Sequence, residues 1–431
     1  MRYTGPVAAL VIALASPAAF ATDIDFGGDV DVRGFSRDDG NDRASALDQR
    51  IRLQMAIDAG QGVEVHGRLN LLNDRLQGDD AGARGDGSDA LNERPFTDST
   101  RGNRNVELDY GYLRFPLFGG AVQVGRQVDN WNFDFTVSDD RRDRLSFIRR
   151  IGGVTMVAAY DRRQSEDQRL RALNGDQYQI ALLGAPTDDV EMGLAIAAFE
   201  SGAGGTGDAI DELAARRGTS PGDDDFPTAF DERGALYVAP WITARHGDFR
   251  YTLGGHRIGG GRGDAFSQQT WGGFLRGGFH FTPEFSLEGQ LVYGEDGTLV
   301  APGFDTFSSL INNSPRNDRS ATTIERLNLG GFGSRAERGD EVMLLATRAT
   351  YEGVAWTFQG AVGNASYDRT QGGNRVDEDV LFVDFQIAYQ LAPSTEIRAT
   401  AGLADTDDFN EALGEGDGTS HATSLQVHTT F

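Results

Sequence analysis

The chain ends in SLQVHTTF (residues 424–431), and the reading of this stretch decides the fold. Leu425, Val427, Thr429 and Phe431 alternate with Gln426, His428 and Thr430. Order normally fades at a terminus. This one keeps the period-two pattern of a strand with one apolar and one polar face, up to its last residue. Such a strand needs a partner.

The same pattern opens the chain. Ile24, Phe26, Val30 and Val32 alternate with Asp25, Asp29, Asp31 and Arg33; Ile51, Leu53, Met55 and Ile57 alternate with Arg50, Arg52, Gln54 and Asp58. It recurs throughout and predicts strands over 23–36, 47–59, 63–73, 104–115, 121–127, 144–151, 153–162, 175–184 and 188–199. A second series follows over 234–245, 248–259, 269–281, 285–295, 341–351, 354–364, 379–390, 396–405 and 421–431. That is about eighteen strands, with sixteen as the alternative count, each near the ~9–11 residues a tilted strand needs to cross a bilayer.

The connections alternate between short, such as Gly60-Gln61-Gly62 and Thr282-Pro283-Glu284, and long, such as 74–103, 200–233 and 296–340. A soluble sandwich has no reason to sort its loops this way. A transmembrane antiparallel β-barrel does, with short periplasmic turns and long extracellular loops. In hydrocarbon an unpaired strand edge costs several kcal/mol per backbone group, so the sheet must close. Strand 421–431 is therefore expected to pair with 23–36, and the ordered terminus is the closing seam.

Composition agrees. The 431 residues contain 57 glycines and no cysteine, with a net charge of -25; all 40 basic residues are arginine. Disulfides are excluded as staples. Arg2, the apolar run 7–15 and Ala19-Phe20-Ala21 read as a signal peptide over 1–21, leaving 22–431 as one barrel domain. A mean hydropathy of -0.40 is compatible with this, because only every second strand residue meets lipid. Tyr110, Tyr112, Tyr237, Trp241, Phe249, Tyr251, Trp271, Phe279, Phe285, Trp356 and Phe385 are expected as interfacial girdles on the apolar face.

Parity assigns the inner wall. Candidate pore-lining residues are Arg33, Arg50, Arg52, His66, Arg68, Arg276 and Arg398. A charged lumen holds water and reads as a channel. The arginines either pair off within a solvated wall or set charge selectivity. The third long connection, within VGRQVDNWNFDFTVSDDRRDRLSFIRR (124–150), carries regularly spaced aromatics that suit a loop folded into the barrel. Asp129, Trp131, Asp134, Asp139, Asp140, Arg141 and Arg142 are its candidate constriction residues, the acids facing arginines of the first three strands across a narrow gap. The alternative is a surface loop whose charges pair locally. Simple alternation turns Arg126 toward lipid, so it is not assigned to the pore.

Other features are weaker. Acidic loops around 79–89, 223–225 and 405–417 match no calcium-binding spacing; they read as solvated loops, with divalent bridging to lipopolysaccharide as an intermediate case. Residues 208–217 could form a short helix over the mouth. No metal or cofactor is expected. The six histidines lie in no nucleophile or metal-ligand motif, so catalysis is not expected. No nucleic-acid partner is expected either.

The terminal SLQVHTTF also resembles the assembly signal of Gram-negative outer-membrane barrels, and the whole chain resembles the bacterial porin superfamily. LRFPLFGGAVQVGRQ (113–127) is similar to the strand pair that precedes the inward-folded third loop in porins, and the strand count resembles alginate-export-type and OprD-like channels. The resemblance implies an outer-membrane location among lipid and lipopolysaccharide. It implies passive diffusion of small hydrophilic solutes, anionic or carbohydrate among them. Porins are usually homotrimers and alginate-export-type channels monomers, so both states stay open. The rival reading is a plugged structural or adhesive barrel, with its lumen filled by loops.

Overall fold

A computed structural model describes residues 23–40, 43–75, 106–164, 175–201, 233–259, 270–296, 298, 300–301, 303–312, 322–324, 327–330, 340–371, 374–406 and 418–431. The expected signal peptide, the acidic clusters at 79–89, 223–225 and 407–417 and the helix at 208–217 lie outside these residues. Eighteen strands make a single sheet. They are β1 (Asp23–Asp38), β2 (Arg43–Asp58), β3 (Glu64–Arg75), β4 (Glu107–Leu117), β5 (Gly120–Trp131) and β6 (Val137–Ile151). Next come β7 (Val154–Gln164), β8 (Gly175–Thr187), β9 (Val190–Ser201), β10 (Arg233–His246), β11 (Phe249–Gly259) and β12 (Thr270–His280). The last six are β13 (Phe285–Glu295), β14 (Glu341–Glu352), β15 (Trp356–Gln371), β16 (Asn374–Ala392), β17 (Thr395–Asp405) and β18 (Thr419–Thr430).

Each strand pairs antiparallel with its chain neighbour, and β18 returns to β1 from Asp29↔Thr430 to Asp38↔His421. The sheet is a closed barrel, as the terminal strand required. Phe431 completes the seam: its N–H donates to Gly28 O at 3.1 Å, and its carbonyl accepts from Gly28 N at 3.0 Å. A Cβ on Gly28 would lie 2.5 Å from the Phe431 ring and 2.4 Å from Arg52 O. Glycine makes the room that the last residue fills.

Turns at one end are short throughout. At the other end, three expected long loops shrink. Residues 37–46, 128–143 and 365–378 give way to connections at 39–42, 132–136 and 372–373. Strands can run on beyond an apolar band because backbone pairing costs nothing extra in water. Period-two counting of apolar residues stops where the band stops, and so it clips the strands.

The girdle expectation needs a second correction. Trp271, Phe279, Phe285, Trp356 and Phe385 are exposed on the outer face, as expected. Tyr110, Tyr112, Tyr237 and Trp241 turn inward instead. Tyr110 and Tyr112 stand directly across from the inward Arg68 and His66, and Tyr237 is wholly buried against Trp131. Tyr237 and Trp241 have small or aliphatic strand neighbours on both faces, so parity alone could not orient them.

The interior is not uniformly polar. Inward residues of β12–β18, among them Phe274, Val292, Leu344 and Phe382, form one apolar core with Val300, Phe304, Phe307, Leu310, Ile311, Ile324, Leu327 and Leu329 of the β13–β14 connection. Part of that long 296–340 connection therefore folds into the barrel.

Candidate functional site

The polar wall lies on β1–β4, β17 and β18. Register places charges of opposite sign directly across from one another: Asp29↔Arg52, Asp31↔Arg50 and Arg33↔Asp48. The side chains follow, with nitrogen–oxygen distances of 2.9, 2.7 and 3.5 Å. Gln426 Nε2 and His428 Nδ1 lie 3.0 and 2.7 Å from Asp31 Oδ1, tying the ladder across the seam. On β3 and β4, Arg114 donates to Glu64 at 3.0 Å, and His66 bonds Glu64 at 2.9 Å. The His66 ring stacks on Tyr112 at 4.9 Å. Arg68 pairs with Asp109 and stands over the Tyr110 ring at 4.9 Å. Arg398 pairs with Glu396.

All seven expected pore-lining residues thus face the interior. One feature of the expectation fails: the arginines of β1–β3 do not confront loop acids across a gap. Arg33, Arg50, Arg52 and Arg68 are each bonded to a carboxylate on a neighbouring strand. Cross-strand pairs of opposite sign stabilise a sheet, and a buried guanidinium without a partner is costly.

The third connection is likewise rearranged. Asp129 and Trp131 sit on β5, and Asp139, Asp140, Arg141 and Arg142 on β6; of the expected constriction residues only Asp134 lies in the 132–136 turn. Their charges pair within and beside the hairpin. Arg142 contacts Asp129 at 2.8 Å, Asp140 at 2.9 Å and Asp161 at 3.2 Å. Arg144 contacts Asp129 at 2.7 Å and Asp161 at 2.5 Å. Arg141 reaches Asp109 at 2.6 Å and Asp139 at 2.8 Å. Burial pushes the Asp134 carboxyl above its ordinary range, Asp139 adds to this, and a hydrogen bond from Ser138 opposes it.

The hairpin tip nevertheless reaches across the interior. Phe135 is fully buried and packs on His256, Phe274 and Phe304 at 5.4, 5.0 and 4.9 Å between ring centres. Phe133 meets Trp241 at 4.9 Å, and Asn132 donates to Gly255 O at 3.1 Å. Apart from Phe304, these partners stand on β10–β12, several strands away around the wall. Asn132, Phe133 and Asp134 all have positive φ, which folds the tip over.

A second element meets it there. Ala301 N donates to Phe135 O at 2.7 Å, and from that point 303–312 forms a strap along the inner wall. Arg276 and Gln290 donate to Asp305 O at 2.8 and 3.0 Å. Arg348 Nη1 bonds the Asp305 carboxylate at 2.8 Å and lies 4.0 Å over the Phe307 ring. Ser309 donates to Asp384 through its N–H at 2.8 Å and its hydroxyl at 2.5 Å. Arg37 of β1 donates to Thr323 O at 2.7 Å, so the same connection touches the opposite side of the seam. Burial pushes the Asp305 carboxyl up, but the guanidiniums of Arg348 and Arg276 outweigh it, holding it below the ordinary carboxylate range. A cavity of about 30 Å³ remains beneath the strap, between Asp305, Arg348, Gln359 and Asp384. That is room for roughly one or two waters.

The strap carries no period-two alternation, and the 296–340 connection around it is largely polar. VAPGFDTFSSLI (300–311) is apolar within it, and that run was the signal available.

Exposure along inward positions describes the space that remains. On β3 the side chains of Glu64 and Arg68 are 30% and 12% exposed, and Asn70 is 4% exposed. On β18, His428 is 38% exposed at its side chain and Gln426 7%. Exposure along the polar wall thus falls from the short-turn end toward the middle of the barrel.

No family model matches the sequence, and no curated protein is similar to it. The fold has clear counterparts among solved structures. The outer membrane protein opdK from Pseudomonas aeruginosa superposes with a TM-score of 0.56 at 11% identity, covering 95% of this chain and 98% of that one. Pseudomonas aeruginosa OccK9 (OpdG) gives 0.55 at 15% identity over 95% and 99%, and Acinetobacter baumannii OccAB2 gives 0.55 at 9% over 95% and 98%. At these identities the likeness is one of fold. It is the closed antiparallel barrel of outer-membrane proteins, with eighteen strands in this chain.

Proposed function

We propose that the chain is a passive channel for small hydrophilic solutes, which enter or leave along the polar wall and pass beside the strap and the hairpin tip. The observation that carries this is the graded exposure of Glu64, Arg68 and Asn70, and of His428 and Gln426, on a wall lined with charge. A wall that polar is stable only in contact with water or fully paired. Because the arginines are paired, the arrangement favours size over charge as the main filter, with neutral carbohydrates and small anions both admissible. Trp131, Phe133 and Phe135 would then narrow the passage by packing the tip in place, and the strap would share that work.

The apolar core under the strap supports a second reading, a barrel plugged for a structural or adhesive role. Reversal potential in a salt gradient across a planar bilayer separates them. An open channel passes current, and Arg50→Ala with Arg52→Ala should move its selectivity toward cations by several-fold, since Asp31 and Asp29 lose their nearest countercharges. A conducting channel with unchanged selectivity would remove this wall from the path, and a folded barrel with no current would leave the plugged reading.

A further inference from the structure

One carboxylate beneath the strap lacks a countercharge. The Arg348 guanidinium is taken up by Glu288 and Asp305, at 2.6 and 2.8 Å. Asp384 of β16 is 8% exposed and receives only the N–H and hydroxyl of Ser309, both on Oδ2. Among the described residues no guanidinium or imidazole lies within ion-pair distance of Asp384, and its Oδ1 has no donor. Two neutral hydrogen bonds fill part of a carboxylate's capacity and cancel none of its charge. A buried charge left in that condition is costly.

Register places further acceptors beside it. Gln386 follows Asp384 by two residues on the same face, and stands directly across from Thr400 of β17 and Gln359 of β15. Gln386 Nε2 donates to Gln359 Oε1 at 3.0 Å, and Gln359 Nε2 donates to Thr350 Oγ1 at 3.4 Å. That direction leaves Gln386 Oε1 without a donor among the described residues. The Thr400 hydroxyl is also buried without a partner, on a residue only 6% exposed. Asp384, Gln386 and Thr400 all line the cavity of about 30 Å³ beneath the strap. Across from Asp384 on β17, a Cβ at Gly402 would lie 2.8 Å from Asp384 Oδ2 and 2.6 Å from Ser309 Oγ. Glycine there lets the strap reach the carboxylate.

Three oxygens with spare lone pairs therefore border one small space: a carboxylate, an amide carbonyl and a hydroxyl. A water could bridge them, but it would leave Asp384 a buried anion. A hard cation accepts such oxygens and supplies the missing charge. The site also sets the size of that charge. Asp305 is held by Arg348 and by the N–H of Phe307, so a single carboxylate remains for the ion. Among the described residues no three carboxylates or imidazoles converge in the way divalent sites require.

We infer that the cavity beneath the strap binds a small monovalent cation, sodium in size and charge, on Asp384, Gln386 and Thr400. The ion neutralises Asp384 from the Oδ1 side while Ser309 holds Oδ2, and so it fastens the strap to β16 and β17. A space of about 30 Å³ admits a bare ion with a water and no organic cation.

The test is thermal unfolding of the full-length barrel in detergent micelles, read as loss of heat-modifiable migration. Sodium chloride is titrated against choline chloride at constant ionic strength, which holds screening fixed. Wild type should gain stability with sodium and then saturate, as binding to the folded state alone requires. Thr400→Val keeps the side chain's shape and every strap anchor, and should weaken the apparent sodium affinity about tenfold. Asp384→Asn keeps an acceptor for Ser309 and should abolish the sodium dependence. If that variant does not fold, Thr400→Val decides. Equal unfolding of wild type in sodium and in choline would overturn the proposal and leave a water in the cavity. Sodium dependence unchanged in both variants would overturn it too, because the ion would then bind elsewhere. Stabilisation by calcium at lower concentration than by sodium, lost in Asp384→Asn, would overturn the monovalent assignment. The readout is folding, so a barrel that passes no current tests the site equally well.

Discussion

Gly28→Val is expected to prevent barrel closure, and loss of heat-modifiable migration on a gel checks it. The side chain would enter a space held by the Phe431 ring at 2.5 Å and Arg52 O at 2.4 Å. The ring could swing away, but the carbonyl belongs to β2, whose pairing with β1 runs from Asp23↔Asp58 to Asp38↔Arg43. Overpacking of this kind costs typically 1–3 kcal/mol in a soluble core. Here the cost falls on the seam itself, and each backbone group left open in hydrocarbon adds several kcal/mol more. Gly28→Ala should be milder, and removing Phe431 should weaken closure without a clash. If Gly28→Val folds to wild-type yield, the terminal residue is not packed at the seam as described.

Asp161→Ala should lower stability by about 3–5 kcal/mol, the range for breaking a buried ion pair by deleting one partner. Asp161 is fully buried and meets Arg144 at 2.5 Å, Arg142 at 3.2 Å and Gln177 at 3.3 Å. Removing it leaves two buried guanidiniums sharing Asp129, with Asp140 on the second. Arg142 also covers the Trp131 ring at 4.6 Å, so the loss would spread to the root of the inward hairpin. Asp161→Asn keeps hydrogen-bonding capacity and should lose less. Urea unfolding in lipid vesicles, followed by tryptophan fluorescence, measures the difference. A change under about 1 kcal/mol, the scale of an exposed pair, would mean that water screens this network.

The barrel itself was legible in the sequence because its two governing constraints, alternation and closure, act residue by residue. Leu425, Val427 and Phe431 could be read outward, and Gln426 and His428 inward, from the terminal stretch alone. The inward side of Arg33, Arg50, Arg52, His66 and Arg68 followed from the same parity. What parity cannot supply is distance across the lumen. Nothing local in Phe135 indicates that it will meet Phe274 and Phe304, and nothing in Arg348 points to Asp305. Those contacts depend on two connections folding back by chosen amounts. Charge pairing was misread for a related reason: arginines on one strand and acids on another look like opposed walls until the register sets Asp31 directly beside Arg50. Arg126 was the exception, a residue whose awkward place was visible from alternation and remained after the fold was known.

The most direct measurement is single-channel conductance of the wild-type barrel and of a variant with the strap unfastened, Arg348→Ala with Asp384→Ala. These substitutions remove the side-chain anchors of Asp305 and Ser309. A water-filled passage narrowed by 303–312 predicts a small, stable wild-type conductance and one several-fold larger, or noisier, in the released variant, at equal folded yield. No current from either folded barrel, or identical currents from both, would contradict it.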